Sequence, residues 1–304
     1  MRWHRPIPLL LSLWPTYWGL FLGGLPSIRL FFVFTLGVVL MRAAGCVVND
    51  LFDQNYDRFV ARTAFRPIAS GAVRNVEAVL LLLVLLLLAA SLLLFLNSLA
   101  QLLALPALFL ALVYPLAKRF TYFPQLILGL AFNFGMIMAY AAVHNQLNSM
   151  IFWLYGLSIV WTLFYDTIYS LMDYTDDKRL GIKSPATFFD GRVYLFLFLL
   201  ALCLIVAASV LLHNLHLHYA FLFALAFTYV MVRACWHLLK GKLLFLIPIL
   251  MMRSQMPGPK QAIWASPMLT PSWREAVVCQ KLFDQQQWFG LIIFLMILCQ
   301  FLSV

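Results

Sequence analysis

The chain has 304 residues, of which 64% are hydrophobic and only 11% charged, with a formal net charge of +10. An average soluble domain carries roughly 25% charged residues, so composition excludes a soluble protein. Runs long enough for a helix to cross about 30 Å of hydrocarbon recur through the chain, and they lack the alternating pattern of barrel strands, which makes the class all-α and multi-spanning.

In chain order the apolar runs predict about nine membrane helices, near residues 7–24, 29–49, 76–97, 99–116, 122–143, 150–172, 193–212, 217–239 and 286–303. The start, Met1 to Arg5 followed by apolar sequence, has the outline of a signal peptide. Trp14, Pro15 and Trp18 and the missing small-residue cleavage site argue instead for a first span. No Arg- and Ser-rich amphipathic presequence is present, which favours a bacterial protein. After span 2 come Arg58, Arg62, Arg66 and Arg74; after span 4, Lys118 and Arg119; after span 6, Lys178, Arg179, Lys183 and Arg192; after span 8, Lys240, Lys242, Arg253, Lys260, Arg274 and Lys281. The opposite loops hold Arg29 alone. The positive-inside rule then places the N-terminus and these basic loops in the cytoplasm and the C-terminus outside, and the positive charge requires no nucleic acid. Residues 1–304 read as a single transmembrane domain in which 241–273, with Pro257, Pro259, Pro267 and Pro271, is an atypical cytoplasmic or interfacial insertion.

The acidic residues are few and clustered. Asp50, Asp53 and Asp57 stand at i, i+3 and i+7 with Asn49 adjacent, so on a helix they share one face. Asp173, Asp176 and Asp177 form a second group, with Asp166 seven residues before Asp173 on the same expected stripe. Carboxylates so close repel one another unless a cation intervenes. Mg²⁺ prefers hard oxygen ligands and commonly joins one or two carboxylates to substrate phosphates. Solvated juxtamembrane charges are the bland alternative for either group alone. Two groups with helical spacing, each beside Arg and Lys, point instead to a metal-bridged diphosphate.

The run from Met41 and Arg42 through Gly45, Cys46, Asn49, Asp50, Asp53 and Asp57, followed by Arg62, Arg66, Pro67 and Gly71, resembles the first signature of the UbiA superfamily of intramembrane prenyltransferases. Tyr114, Pro115, Lys118, Arg119, Thr121, Pro124, Gln125 and Gly129 extend the likeness, as do Tyr165, Asp166, Thr167, Tyr169, Asp173, Gly181, Lys183 and Ser184. The likeness is greatest to the 4-hydroxybenzoate polyprenyltransferase branch. It departs at Pro8, where Gly is expected, in a second motif less dense in acid, and in the long 241–273 segment.

The resemblance implies about nine helices around a central cavity open to lipid. It implies Mg²⁺ and prenyl diphosphate bound by Asn49, Asp50, Asp53, Asp57, Asp173 and Asp177, and diphosphate or acceptor contacts for Arg62, Arg66, Lys118, Arg119 and Lys183. Asp50, Asp53, Asp173 and Asp177 would be catalytic in that sense. The implied reaction moves a polyprenyl group to the 3-position of 4-hydroxybenzoate and releases diphosphate, within ubiquinone biosynthesis and in the bacterial inner membrane. Arg42, seven residues before Asn49 and hence on its helical face, is a candidate for the acceptor carboxylate, with Arg119 its rival. Asp166 or released diphosphate takes the ring proton. A naphthoate, homogentisate or haem acceptor, or a transporter that buries charge between helices, are the competing readings. The five cysteines read as small core residues, and His213, His216 and His218 as interfacial side chains.

Overall fold

The computed structural model describes residues 6–22, 24–59, 63–214, 273–299 and 301. Among them every regular element is helical: α1 (Ile7–Phe21), α2 (Ile28–Asp57), α3 (Asn75–Leu92), α4 (Ser98–Phe120), α5 (Pro124–His144), α6 (Ser149–Met172), α7 (Tyr174–Leu180), α8 (Pro185–Phe189), α9 (Val193–Asn214) and α10 (Trp273–Cys299), with single 3₁₀ turns at Leu93–Phe95 and Asp190–Arg192. Among the described residues seven stretches are long and apolar enough to cross a membrane. With α1 they correspond to eight of the expected spans; the span expected at 217–239, the 241–273 segment up to residue 272, Arg62 and the His216 and His218 positions lie outside the described residues.

The helices begin where short polar side chains cap them. Ser27, Asn97, Asn148 and Ser184 each accept a hydrogen bond from a backbone N–H in the first turn, which satisfies donors that have no partner inside the helix. Two boundaries differ from expectation. The expected span 29–49 continues as helix to Asp57, giving 30 residues. At 1.5 Å per residue α2 is about 45 Å long, so its last turns carry the acidic face out of the hydrocarbon. The final helix starts at Trp273 rather than 286, because its polar first half, with Glu275, Lys281 and Asp284, is helical although not apolar.

α1 is the hub, packing against α2, α5, α6 and α10. Trp18, fully buried, stacks on Trp161 of α6 at 5.4 Å between ring centroids, lies edge-on to Phe289 of α10, and donates from Nε1 to the Gly290 carbonyl at 2.9 Å. Close approach depends on small residues, as in membrane interfaces generally. A Cβ on Gly19 would stand 2.1 Å from the Met136 backbone oxygen of α5, and one on Gly290 2.3 Å from Cδ1 of Trp14. Since a helix backbone cannot move aside as a side chain can, Gly19→Ala is expected to lower stability by about 1–3 kcal/mol or more through overpacking. A thermal melt in detergent checks this; an unchanged melting temperature would contradict it.

Asn133 of α5, buried, donates to the Gly129 carbonyl and to the Thr162 hydroxyl of α6, both at 2.9 Å, which fixes the α5–α6 register. α3 and α4 present Leu80, Leu87, Leu102, Leu105 and Phe109 outward, as lipid-facing helices do. Of the cysteines, Cys46 and Cys279 are buried, Cys299 is half-buried and Cys203 is exposed; Cys235 lies outside the described residues.

Candidate active site

α2, α4 and α6 end, and α5 and α9 begin, at the same end of the bundle, so the segments 58–74, 121–123 and 173–192 share one surface. α2 and α6 both pack against α1 and α5. That topology brings the two acidic groups to one end of the protein.

The first group sits on the continuous helix α2, as its spacing predicts. Asp57, 6% exposed, ends the helix, and Nη1 of Arg66 lies 2.5 Å from its carboxylate and 3.4 Å from that of Asp50. One guanidinium therefore serves two carboxylates a full two turns apart. The loop that carries Arg66 is itself tied down: Thr63 donates to the Asp57 carbonyl at 3.0 Å, and Nε of Arg58 to the Ala69 carbonyl at 3.1 Å. Asn49, Asp50 and Asp53 are half-buried on the same face.

The second group is built differently from the expected single stripe. The helix breaks at Asp173, whose φ of −103° and ψ of 5° are not helical. Asp173 ends α6 and opens α7, so Asp166 on α6 does not share one continuous helix with Asp177. Asp176 and Asp177 occupy the first turn of α7, where the helix dipole favours negative charge, and Lys178 and Arg179 the last, where it favours positive charge. Gly181 closes α7 with a φ of 69°, a left-handed conformation that costs glycine little.

Deeper along α2 than the first acidic group, an arginine sits over an aromatic ring. Arg42 of α2 stands over the Phe132 ring of α5 at 5.6 Å, and it acts electrostatically on buried Tyr165 of α6, as do Asp166 and Tyr114. Four helices thus contribute to one neighbourhood. Arg119 is exposed, 5.9 Å from the Phe52 ring centroid; Lys183 lies 5.5 Å from that of Tyr122 and donates to the Arg119 carbonyl at 3.5 Å. Lys118 falls in α4, its backbone alone described. The aromatic partners Phe52, Tyr122 and Phe132 are not marked in the sequence, where 16% of all residues are aromatic and no spacing distinguishes them, whereas Tyr165 belongs to the run that carries the resemblance. Among the described residues no three His, Cys, Asp or Glu side chains gather as a closed metal cage.

A model of the UbiA prenyltransferase family matches residues 12–243. A protein of Francisella tularensis subsp. novicida named 4-hydroxybenzoate octaprenyltransferase is 48% identical over 198 residues, which are 64% of this chain and 70% of the relative. One of the same name from Neisseria meningitidis is 51% identical over 191 residues, 62% of this chain and 64% of the relative. Among solved structures, a UbiA homologue from Aeropyrum pernix K1 superposes with a TM-score of 0.75 at 21% identity, covering 98% of this chain and 99% of that one. A homologue from Archaeoglobus fulgidus, bound to GPP and Mg²⁺, superposes at 0.63 with 18% identity, covering 94% of this chain and 96% of that one. These two share the fold. With the family match extending over most of its length, the chain belongs to the UbiA prenyltransferase family.

Proposed function

We propose that the protein transfers a polyprenyl group from polyprenyl diphosphate to the carbon ortho to the hydroxyl of 4-hydroxybenzoate, as a step in making ubiquinone. The C–O bond to diphosphate breaks, a C–C bond forms, and the ring proton leaves. The observation that carries the reading is the topology that brings two acidic groups to one end of the bundle, with an aromatic-backed arginine farther along α2 beside Tyr165, in a chain 48% identical over 198 residues to a protein named for this reaction.

The donor set fits Mg²⁺. All the side chains concerned offer hard oxygens, and Asp50 and Asp57 already share one cation, the Arg66 guanidinium. Mg²⁺ takes one or two carboxylates and completes its shell with phosphate oxygens and water, so it requires no closed cage of side chains. Asn49, Asp50, Asp53 and Asp57 on α2 and Asp173 and Asp177 at α7 would hold it. Held there with the diphosphate, Mg²⁺ would supply charge neutralisation to the leaving group.

The chain's own groups do the rest. Arg66, Arg62, Lys118, Arg119 and Lys183 take the outer diphosphate oxygens. Arg42, backed by Phe132, binds the acceptor carboxylate and so presents the ring with its hydroxyl-activated carbon towards the allylic end of the donor. The helices exclude water that would otherwise capture the allyl cation. Asp166 stands near Tyr165 and Arg42 to accept the ring proton, a role released diphosphate shares. The N-terminus and both acidic groups lie on the cytoplasmic side of a bacterial inner membrane.

Arg42→Gln is expected to raise KM for 4-hydroxybenzoate about thirtyfold, the effect of about 2 kcal/mol from a lost charge-assisted pair, with KM for the prenyl diphosphate unmoved. Steady-state kinetics in detergent check this. A rise confined to the prenyl diphosphate would remove Arg42 from the acceptor site.

A further inference from the structure

The second acidic group rides on a helix of seven residues, far below the length at which a helix holds itself together in water. What aims it must come from outside. Tyr174, at its first position, is buried, and its hydroxyl donates to the Asp190 carboxylate in the 3₁₀ turn ahead of α9. One helical turn along, Nζ of Lys178 lies 2.9 Å from the same hydroxyl and 3.2 Å from the same carboxylate. Tyr174 and Lys178 thus form a single face of α7, both fastened to one oxygen of another element. Asp173 and Asp177 each precede one of them in sequence, so their direction around the helix follows from how that face is held.

Asp190 adopts φ 48° and ψ −123°, a left-handed conformation disfavoured for any side chain. Glycine would occupy it freely. An aspartate there is retained against its backbone preference, and its carboxylate is the shared acceptor of the network.

We propose that Tyr174, Lys178 and Asp190 are positioning residues that set the rotation of α7, and with it the grip of Asp173 and Asp177 on the metal-bound diphosphate. None of the three touches substrate. The proposal rests on the reading of Asp173 and Asp177 given above.

The test compares wild type with Tyr174→Phe and Asp190→Gly in detergent, using three readouts: the calorimetric Kd of farnesyl thiolodiphosphate in Mg²⁺, KM for 4-hydroxybenzoate, and the melting temperature. Asp190→Gly is the decisive variant, because it relieves the backbone while deleting the carboxylate. The expected result is a melting temperature equal to or above wild type, affinity for the analogue weakened about tenfold or more, and an unmoved acceptor KM. The double variant is expected to be no weaker than the worse single one, since both break the same network. Wild-type affinity in either single variant would overturn the proposal, as would affinity and melting temperature falling together in Asp190→Gly, which would mean a stabilising contact only. A wild type that binds no analogue in Mg²⁺ would instead sink the reading of the acidic groups, and the positioning role with it.

Discussion

Replacing Asp50 or Asp173 by Ala is expected to reduce prenyl transfer on the order of a thousandfold or more while the protein still inserts and melts as a folded species. The size follows from what leaves with each carboxylate. An allylic C–O bond ionises only as fast as charge on the departing diphosphate is compensated, and in a water-poor site one ligand of the compensating cation is worth several kcal/mol. The two variants draw on different helices, α2 and the α6–α7 junction, so equal failure of both would tie the two acidic groups to one event. Transfer measured with saturating Mg²⁺ checks this, and undiminished turnover in both would remove the metal-site assignment.

Arg66→Ala is the second large effect, and it acts on stability as well as on activity. Asp57 is almost wholly buried and Nη1 of Arg66 lies 2.5 Å from its carboxylate; the same atom approaches Asp50. Removing the guanidinium leaves a buried carboxylate facing another two turns away on the same helix. The expected cost is on the order of 3 kcal/mol, the range found when one partner of a buried pair is deleted. Arg66→Lys recovers only part, because an ammonium is more strongly hydrated than a guanidinium and loses more on burial beside Asp57. A detergent melt of the two variants reads the order wild type, Lys, Ala. If Arg66→Ala melts with wild type, the pair contributes nothing to the end of α2 and its place at the site is accidental.

Much of this arrangement is legible in the chain. The i, i+3, i+7 spacing of Asp50, Asp53 and Asp57 requires only that α2 be helical there, and it is. Caps at Ser27, Asn97, Asn148 and Ser184 are local and readable. What fails to show is what depends on distance in sequence or on one backbone angle. A periodic stripe through Asp166, Asp173 and Asp177 assumes an unbroken helix, and the break at Asp173 ends it. Hydropathy finds membrane crossings and not helix ends, so α2 and α10 run past the apolar stretches into polar sequence. The seating of Arg42 on Phe132, ninety residues on, leaves no trace in either segment. The same is true of the Tyr174, Lys178 and Asp190 network, in which Asp190 reads as one more charge in a loop.

The measurement that bears most directly on the whole account is transfer to radiolabelled 4-hydroxybenzoate by the purified full chain in detergent, given a long-chain polyprenyl diphosphate, with Mg²⁺ and with EDTA. The expected result is a lipid-extractable labelled product that forms with Mg²⁺, vanishes in EDTA and returns when the metal is restored. Label that stays in the aqueous phase while another aromatic acceptor is prenylated would contradict the acceptor, and product formation undiminished by EDTA would contradict the role given to the two acidic groups.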